Sequence, residues 1–184
     1  TIPVESGQLT LLYPSWVPGG HSPRGAIDKI AGLVFKAGDR KLEWKRDTLD
    51  VNAFHVTVPD GVSEITAEFD FLTATGAGQG RVVMTPRMLN LQFLSTVLYP
   101  AGHHAGKILF DPRVTYPAGW TAFTALHEQG RSGDTVDYQD VPLDILVDSP
   151  VYAGRHAKNI DLTPAGKPQV KLGVVADAPK YLEA

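Results

Sequence analysis

The segment SEITAEFDFL, residues 63–72, decides the fold class, because apolar and polar side chains alternate through it. A period of two is typical of a β-strand with one buried and one solvated face. The predicted apolar face carries Ile65, Ala67, Phe69 and Phe71, and the predicted polar face carries Glu64, Thr66, Glu68 and Asp70. We interpret the acidic face as a solvated one.

Short strand-like runs separated by turn residues fill most of the remaining chain. Strands are predicted at residues 9–13, 33–36, 42–45, 51–58 and 88–99, with further short ones up to 170–175. The turn at residues 37–40 predicts a hairpin, and the long apolar run 88–99 predicts a central strand covered on both faces. Helix is predicted only at residues 142–147 and 178–184. This pattern predicts an all-β fold, an antiparallel β-sandwich or related two-layer β domain, with less than ~15% helix.

The composition excludes several classes of function. The 184 residues, 43% hydrophobic and 20% charged, suit one globular domain with a real core, or one domain and a small appendage. The net charge of −3, without a basic block, argues against a nucleic-acid partner, and no run approaches the ~18 apolar residues of a membrane span. The lack of cysteine excludes disulfides and thiolate sites. Because the chain starts at Thr1 without a signal-like run, we interpret it as a processed or excised piece.

Six histidines raise the question of a metal site: His21, His55, His103, His104, His127 and His156. A zinc peptidase helix needs two histidines four residues apart, with a glutamate between them to activate water. The segment HEQGR from His127 has only the first half, since Arg131 stands where the second histidine is required. We predict a loop without metal there, and a solvated loop at His103 and His104. No serine lies in a G-x-S-x-G elbow, so no catalytic residue is predicted in this chain.

Four segments resemble a known family. LLYPSWVPGGHSPRG, at residues 11–25, carries a W-x-P-G motif that resembles the start of the glycyl aminopeptidases, zinc metallopeptidases whose catalytic domain is followed by a PDZ domain. The others are RGAIDKIAGL from Arg24, GRVVMTPRMLNLQFLSTVLYPAG from Gly80 and VDSPVYAGR from Val147. The resemblance covers nearly all of the chain, but it is to the N-terminal, non-catalytic domain of that family.

The resemblance implies a division of labour within a longer protein. Residues 1–175 are expected to form the N-terminal β domain, and residues 176–184 to begin the connection to the catalytic domain. This chain is then not itself an enzyme, while the intact protein is a zinc metallo-aminopeptidase that prefers small N-terminal residues such as glycine. The domain is expected to pack on the catalytic domain and to help shape the substrate entrance. Zinc is expected in that absent domain only, and the family implies a periplasmic or secreted protein.

Five residues are candidates for particular roles. Asn90 and Gln92 share one face of the predicted 88–99 strand. The run NLQFLSTVLYPAG also resembles the leukotriene-hydrolase-type zinc aminopeptidases, in which a glutamine-containing strand helps to hold the N-terminal end of the substrate; either amide is a candidate equivalent. His21 and Arg24 are candidates for binding a carboxylate or contacting a partner domain. Trp16 is predicted to be a buried anchor of its loop, because so large a ring is rarely idle there.

A second hypothesis, from a different class, stays open. The chain is then a stand-alone β-sandwich module that binds carbohydrate or peptide, with an exposed aromatic platform at Trp16, Trp120 or Tyr152. The native reading frame discriminates between the two hypotheses, because only the peptidase continues into an H-E-x-x-H helix.

Overall fold

The computed structural model describes residues 1–16, 21–23, 25–74 and 84–183. These residues form short strands, one α-helix and four 3₁₀ turns, and 11% of them are helical, so the predicted all-β fold with little helix is confirmed. The strands are β1 (Ile2–Pro3), β2 (Gly7–Leu12), β3 (Ile30–Ala37), β4 (Arg40–Leu42), β5 (Trp44–Arg46), β6 (Ala53–Val58), β7 (Glu64–Phe71), β8 (Met88–Leu91), β9 (Tyr99–Pro100), β10 (Leu109–Phe110), β11 (Arg113–Thr115), β12 (Thr121–Phe123), β13 (Glu128–Ser132), β14 (Thr135–Tyr138), β15 (Val141–Pro142), β16 (Val151–Gly154), β17 (His156–Asp161) and β18 (Lys171–Ala176). The helix is α1 (Leu143–Val147), and the 3₁₀ turns are Ile27–Lys29, Phe93–Ser95, Ala105–Lys107 and Pro179–Leu182. No described helix has the length and apolar character needed to cross a membrane.

The chain divides into two compact units. Unit 1 comprises Thr1–Leu72 and Phe93–Ile108, and unit 2 comprises Thr73–Gln92 and Leu109–Ala184. Each unit contains its own antiparallel sheets.

Unit 1 is a two-layer β-sandwich, as the sequence predicted. One sheet has the strand order β1-β7-β3-β4 and the other β5-β6-β2-β9. The alternation in β7 buries Ile65 and leaves Glu64 and Glu68 exposed, because successive side chains point to opposite faces of a strand. The predicted hairpin joins β3 to β4, with Gly38 at a φ of 57°. Both sheets contribute to one core, which consists of Leu11, Tyr13, Phe35, Leu42, Phe54, Val56, Val58, Ile65 and Leu98.

Unit 2 is built from smaller sheets of two or three strands. Their orders are β12-β16-β8, β11-β14-β13, β10-β15 and β17-β18. Val136, Leu146 and Val151 are fully or almost fully buried and form part of its core. The predicted turn before β12 is confirmed, since Trp120 N–H donates to the Pro117 carbonyl and Gly119 has a φ of 76°.

The predicted single strand at residues 88–99 is wrong. The segment forms β8, then the 3₁₀ turn Phe93–Ser95, and then β9, and its two strands belong to different units. The turn is closed by a hydrogen bond from Thr96 N–H to the Phe93 carbonyl, while Val97 and Leu98 beyond it are buried. Every residue of the run is buried or half-buried, which accounts for its apolar character, and burial alone does not require extended backbone.

Candidate functional site

The two candidate amides meet at the end of β8. Gln92 Nε2 donates to Asn90 Oδ1 at 2.7 Å, and both side chains are half-buried. Gln92 lies one residue beyond the end of β8, so the predicted sharing of one strand face is replaced by a direct side-chain contact. This contact uses one Nε2 proton of Gln92, and Gln92 Oε1 makes no hydrogen bond to any described residue. An amide oxygen in this position can accept a hydrogen bond from a cationic group.

An aromatic ring flanks the amide pair. In the sheet β12-β16-β8, Tyr152 is paired directly with Asn90 on one side and with Phe123 on the other. Directly opposite residues of an antiparallel pair lie on the same face of the sheet. The Tyr152 side chain is 43% exposed. The face therefore presents an aromatic ring beside two carboxamides, which is a combination suited to a ligand with a cationic or polar end.

The structure does not confirm the prediction for Trp16. Its side chain is 60% exposed, so Trp16 is not a buried anchor. The backbone closes the base of the opening loop instead, because Gly25 N–H donates to the Ser15 carbonyl at 3.1 Å. A Cβ atom on Gly25 would lie 2.0 Å from the Pro14 carbonyl oxygen, so glycine is required for this close approach.

The other two loop candidates stay predictions. His21 is exposed, and Arg24 lies outside the described residues. His21 belongs to unit 1, whereas Asn90 and Gln92 belong to unit 2.

The half-motif at His127 is part of a strand. Residues 128–131 lie in β13, so the predicted loop is wrong. Gly130 does not break the strand; it lies at a shift in the register between β13 and β14. Arg131 binds Glu128 through two hydrogen bonds, Nε to Oε1 at 3.1 Å and Nη2 to Oε2 at 2.8 Å. This pairing lowers the pKa of Glu128 below its usual value.

The described residues do not fit a zinc site. Within residues 1–16, 21–23, 25–74 and 84–183, no three histidine, aspartate or glutamate side chains gather to hold a metal ion. His103 and His104 are exposed, as predicted, and His104 Nδ1 accepts a hydrogen bond from Gly106 N–H at 3.2 Å.

The sequence interpretation missed a polar cluster on β2 and β6. Thr10 Oγ1 lies 3.0 Å from His55 Nδ1, and His55 Nε2 lies 2.8 Å from Asp47 Oδ2. Asp47 Oδ1 also accepts from the backbone N–H groups of Asp50 and Leu49. The N–H of Asp50, then His55 and the N–H of Leu49, lower the pKa of Asp47 to about 2. The cluster thereby ties the turn after β5 to the sheet.

A shallow groove of about 640 Å³ borders this cluster, and Trp44, Lys45 and His55 are among the residues that line it. The sequence carries one signal for the cluster, since His55 and Thr57 alternate with Phe54, Val56 and Val58 and so lie on the other face of the strand. The contacts themselves depend on the pairing of Thr10 with His55, which are far apart in the sequence.

The described residues thus form a β-rich structure with one short α-helix. The comparison with protein families identifies its class as the N-terminal domain of a peptidase. The model of the Peptidase M61 N-terminal domain matches residues 1–155, and the chain belongs to this family, the glycyl aminopeptidase family expected from the sequence.

A solved structure has a similar fold. The crystal structure of an aminopeptidase N family protein from Idiomarina loihiensis aligns with a TM-score of 0.78 at 14% sequence identity. The alignment covers 95% of this chain and 29% of that chain, so this chain spans less than a third of the length of that protein. At this identity the similarity shows the fold alone. No curated protein matches the chain.

Proposed function

We propose that this chain is the non-catalytic N-terminal domain of a zinc-dependent aminopeptidase of the glycyl type. It packs on the downstream catalytic domain and helps to shape the substrate entrance. The observation that carries the proposal is the family match over residues 1–155. The zinc ligands, the catalytic glutamate and the PDZ domain then belong to the remainder of the full-length protein, and the peptide substrate and the catalytic domain are the partners of this one.

Within this function, Asn90 and Gln92 are substrate-positioning residues. Gln92 Oε1 accepts a hydrogen bond from the ammonium group at the N-terminus of the peptide, and the Asn90 contact holds the Gln92 amide in the orientation that this requires. The Tyr152 ring provides an adjacent surface that favours a cation. An uncharged acceptor suits this task, since it stabilises the bound ammonium without attracting free cations as strongly as a carboxylate does.

The test is made in the full-length enzyme with Asn90→Ala and Gln92→Leu. A hydrogen bond to a charged group contributes ~1.5–3 kcal/mol, so kcat/KM for glycyl substrates is expected to fall about 10- to 100-fold with no change in thermal stability. Gln129→Leu is the matched control, because Gln129 is an exposed glutamine on β13. If both site variants keep the wild-type kcat/KM, the positioning role is wrong.

The 184-residue chain by itself is expected neither to hold zinc in a one-to-one ratio nor to cleave glycyl substrates, because the second histidine of the helical motif is replaced by Arg131. Metal analysis of the chelator-washed chain checks the first expectation. One zinc ion per chain would contradict it.

The exposure of Trp16 favours one second candidate, a module that binds carbohydrate or peptide. In that case, oligosaccharides or short peptides should change the tryptophan fluorescence of the chain, and Trp16→Ala should abolish the change. A native reading frame that continues into an H-E-x-x-H motif argues for the peptidase instead.

A further inference from the structure

The hairpin of β17 and β18 has one face packed within unit 2. The register pairs Asn159 with Gly173 and Ala157 with Val175, so these four positions lie on the same face. A Cβ atom on Gly173 would lie 2.3 Å from Cγ of Phe123, which shows that the Phe123 ring rests directly on the Gly173 backbone. The hairpin is therefore held to the rest of unit 2 through this face.

The opposite face of the hairpin carries apolar side chains near its tip. Polar side chains are expected on a strand face that is in contact with solvent. Ile160 is paired with Leu172, and Leu162 N–H donates to the Val170 carbonyl, which extends the same register. We call these four residues the tip patch: Ile160, Leu162, Val170 and Leu172. The last three are 53%, 48% and 46% exposed, respectively. A solvated antiparallel ribbon normally places its polar side chains outward, so this inverted arrangement needs a partner.

The base of the same face already has a cover. Lys158 lies on this face, and its Nζ donates to the carbonyl of Leu182 at 3.1 Å. The 3₁₀ turn Pro179–Leu182 thus folds back over the base of the hairpin, and Ala176 beneath it is only 8% exposed. The segment expected to begin the connection to the catalytic domain therefore runs beside the tip patch.

We propose that the tip patch is the surface on which the catalytic domain of the same polypeptide docks. This inference rests on the function proposed above and names the contact that joins the two domains. The hairpin follows directly after the matched residues 1–155, so it lies between the family's N-terminal domain and whatever part of the polypeptide comes next.

Charge and size both favour a covalently linked partner. The four side chains of the patch carry no charge, and the pair of Asp161 and Lys171 lies on the opposite face. Lys158, on the same face as the patch, donates to the Leu182 carbonyl. Four aliphatic side chains fall well short of the ~800 Å² per partner of a standard interface between free proteins. A domain on the same chain has a high effective concentration, so a small apolar contact is enough to hold it.

The experiment is hydroxyl-radical footprinting of the full-length protein and of the 184-residue chain. Leu162 and Leu172 are expected to be oxidised several-fold more slowly in the full-length protein. Leu49, which is 95% exposed in unit 1, is the reference and should react equally in both. In the full-length protein, Leu172→Asp, or the milder Leu162→Ser, should restore rapid oxidation of the other patch residues, whereas Leu49→Asp should not.

Glycyl-peptide turnover by the full-length protein is measured in the same samples. If turnover is present and the patch residues react equally in both proteins, the docking surface is wrong while the proposed function stands. If turnover is absent, the proposed function itself fails. Protection of the 184-residue chain that grows with its concentration, or with added lipid vesicles, would assign the patch to a second copy or a membrane and overturn the proposal.

Discussion

Substitution of Gly173 by alanine tests the packing that holds the β17–β18 hairpin in place. A new Cβ atom would lie 2.3 Å from Cγ, 2.5 Å from Cδ1 and 2.8 Å from Cβ of Phe123, whereas carbon atoms in contact are normally ~3.5–4.0 Å apart. Because Cβ of Phe123 is among the clashing atoms, rotation of the ring alone cannot relieve the contact. Overpacking of this kind costs ~1–3 kcal/mol.

Urea unfolding followed by tryptophan fluorescence measures the effect. With an m-value of ~2 kcal/mol/M, the expected loss lowers the midpoint by ~0.5–1.5 M. Gly130→Ala is the matched control, because no atom lies within 4 Å of the Cβ position at this other strand glycine of unit 2. Its free energy of unfolding should change by no more than ~0.5 kcal/mol.

A double-mutant cycle identifies the clashing partner. In a Phe123→Ala background the same Gly173→Ala change should cost much less, because the ring that it meets is gone. An unchanged midpoint for Gly173→Ala, or an equal loss in both backgrounds, would refute the packing described here.

Two further predictions concern hydrogen bonds. Tyr116→Phe leaves the buried Tyr138 hydroxyl without its 2.7 Å partner and is expected to lower the free energy of unfolding by ~1–3 kcal/mol. The double variant with Tyr138→Phe should recover part of that loss. Additive losses of the two substitutions in equilibrium unfolding would contradict this expectation. The pKa of Asp47 falls from its ordinary value of 3.8 to about 2, so its contribution to stability is fully present above pH ~4 and is lost as the pH falls through 2. Asp47→Asn should therefore lower the unfolding midpoint at pH 7, and most of the difference from wild type should be gone by pH 2. Asp60→Asn is the exposed control, and a difference that persists unchanged at pH 2 would rule out the carboxylate as its origin.

Local patterns predicted much of the fold because they are set by neighbouring residues. The alternation around Ile65 and the hairpin turn at Gly38 were correct, since a strand face and a tight turn each depend on a few consecutive side chains. The α1 helix after Pro142 was also anticipated.

Features that depend on burial or on distant pairing were not predictable in the same way. The run from Met88 to Tyr99 is apolar throughout, and hydrophobicity cannot distinguish a strand from a buried 3₁₀ turn such as Phe93–Ser95. The exposure of Trp16 was not predicted, because the burial of a large ring in a loop depends on which distant residues cover it. The contact between Gln92 and Asn90 was anticipated only as a shared face, because the strand ends between them.

The division of the chain into two units has a consequence for how the protein can be cut. Each unit is assembled from two separate stretches of sequence, so the polypeptide passes from one unit to the other at residues 72–73, 92–93 and 108–109. A fragment that stops at Leu72 lacks β9, which pairs with β2, and it also lacks the core residue Leu98. During synthesis, the sandwich cannot be completed until residues beyond Pro100 have left the ribosome. Unit 1 therefore cannot be isolated by truncation at one position, and would need a redesigned connection in place of residues 73–92.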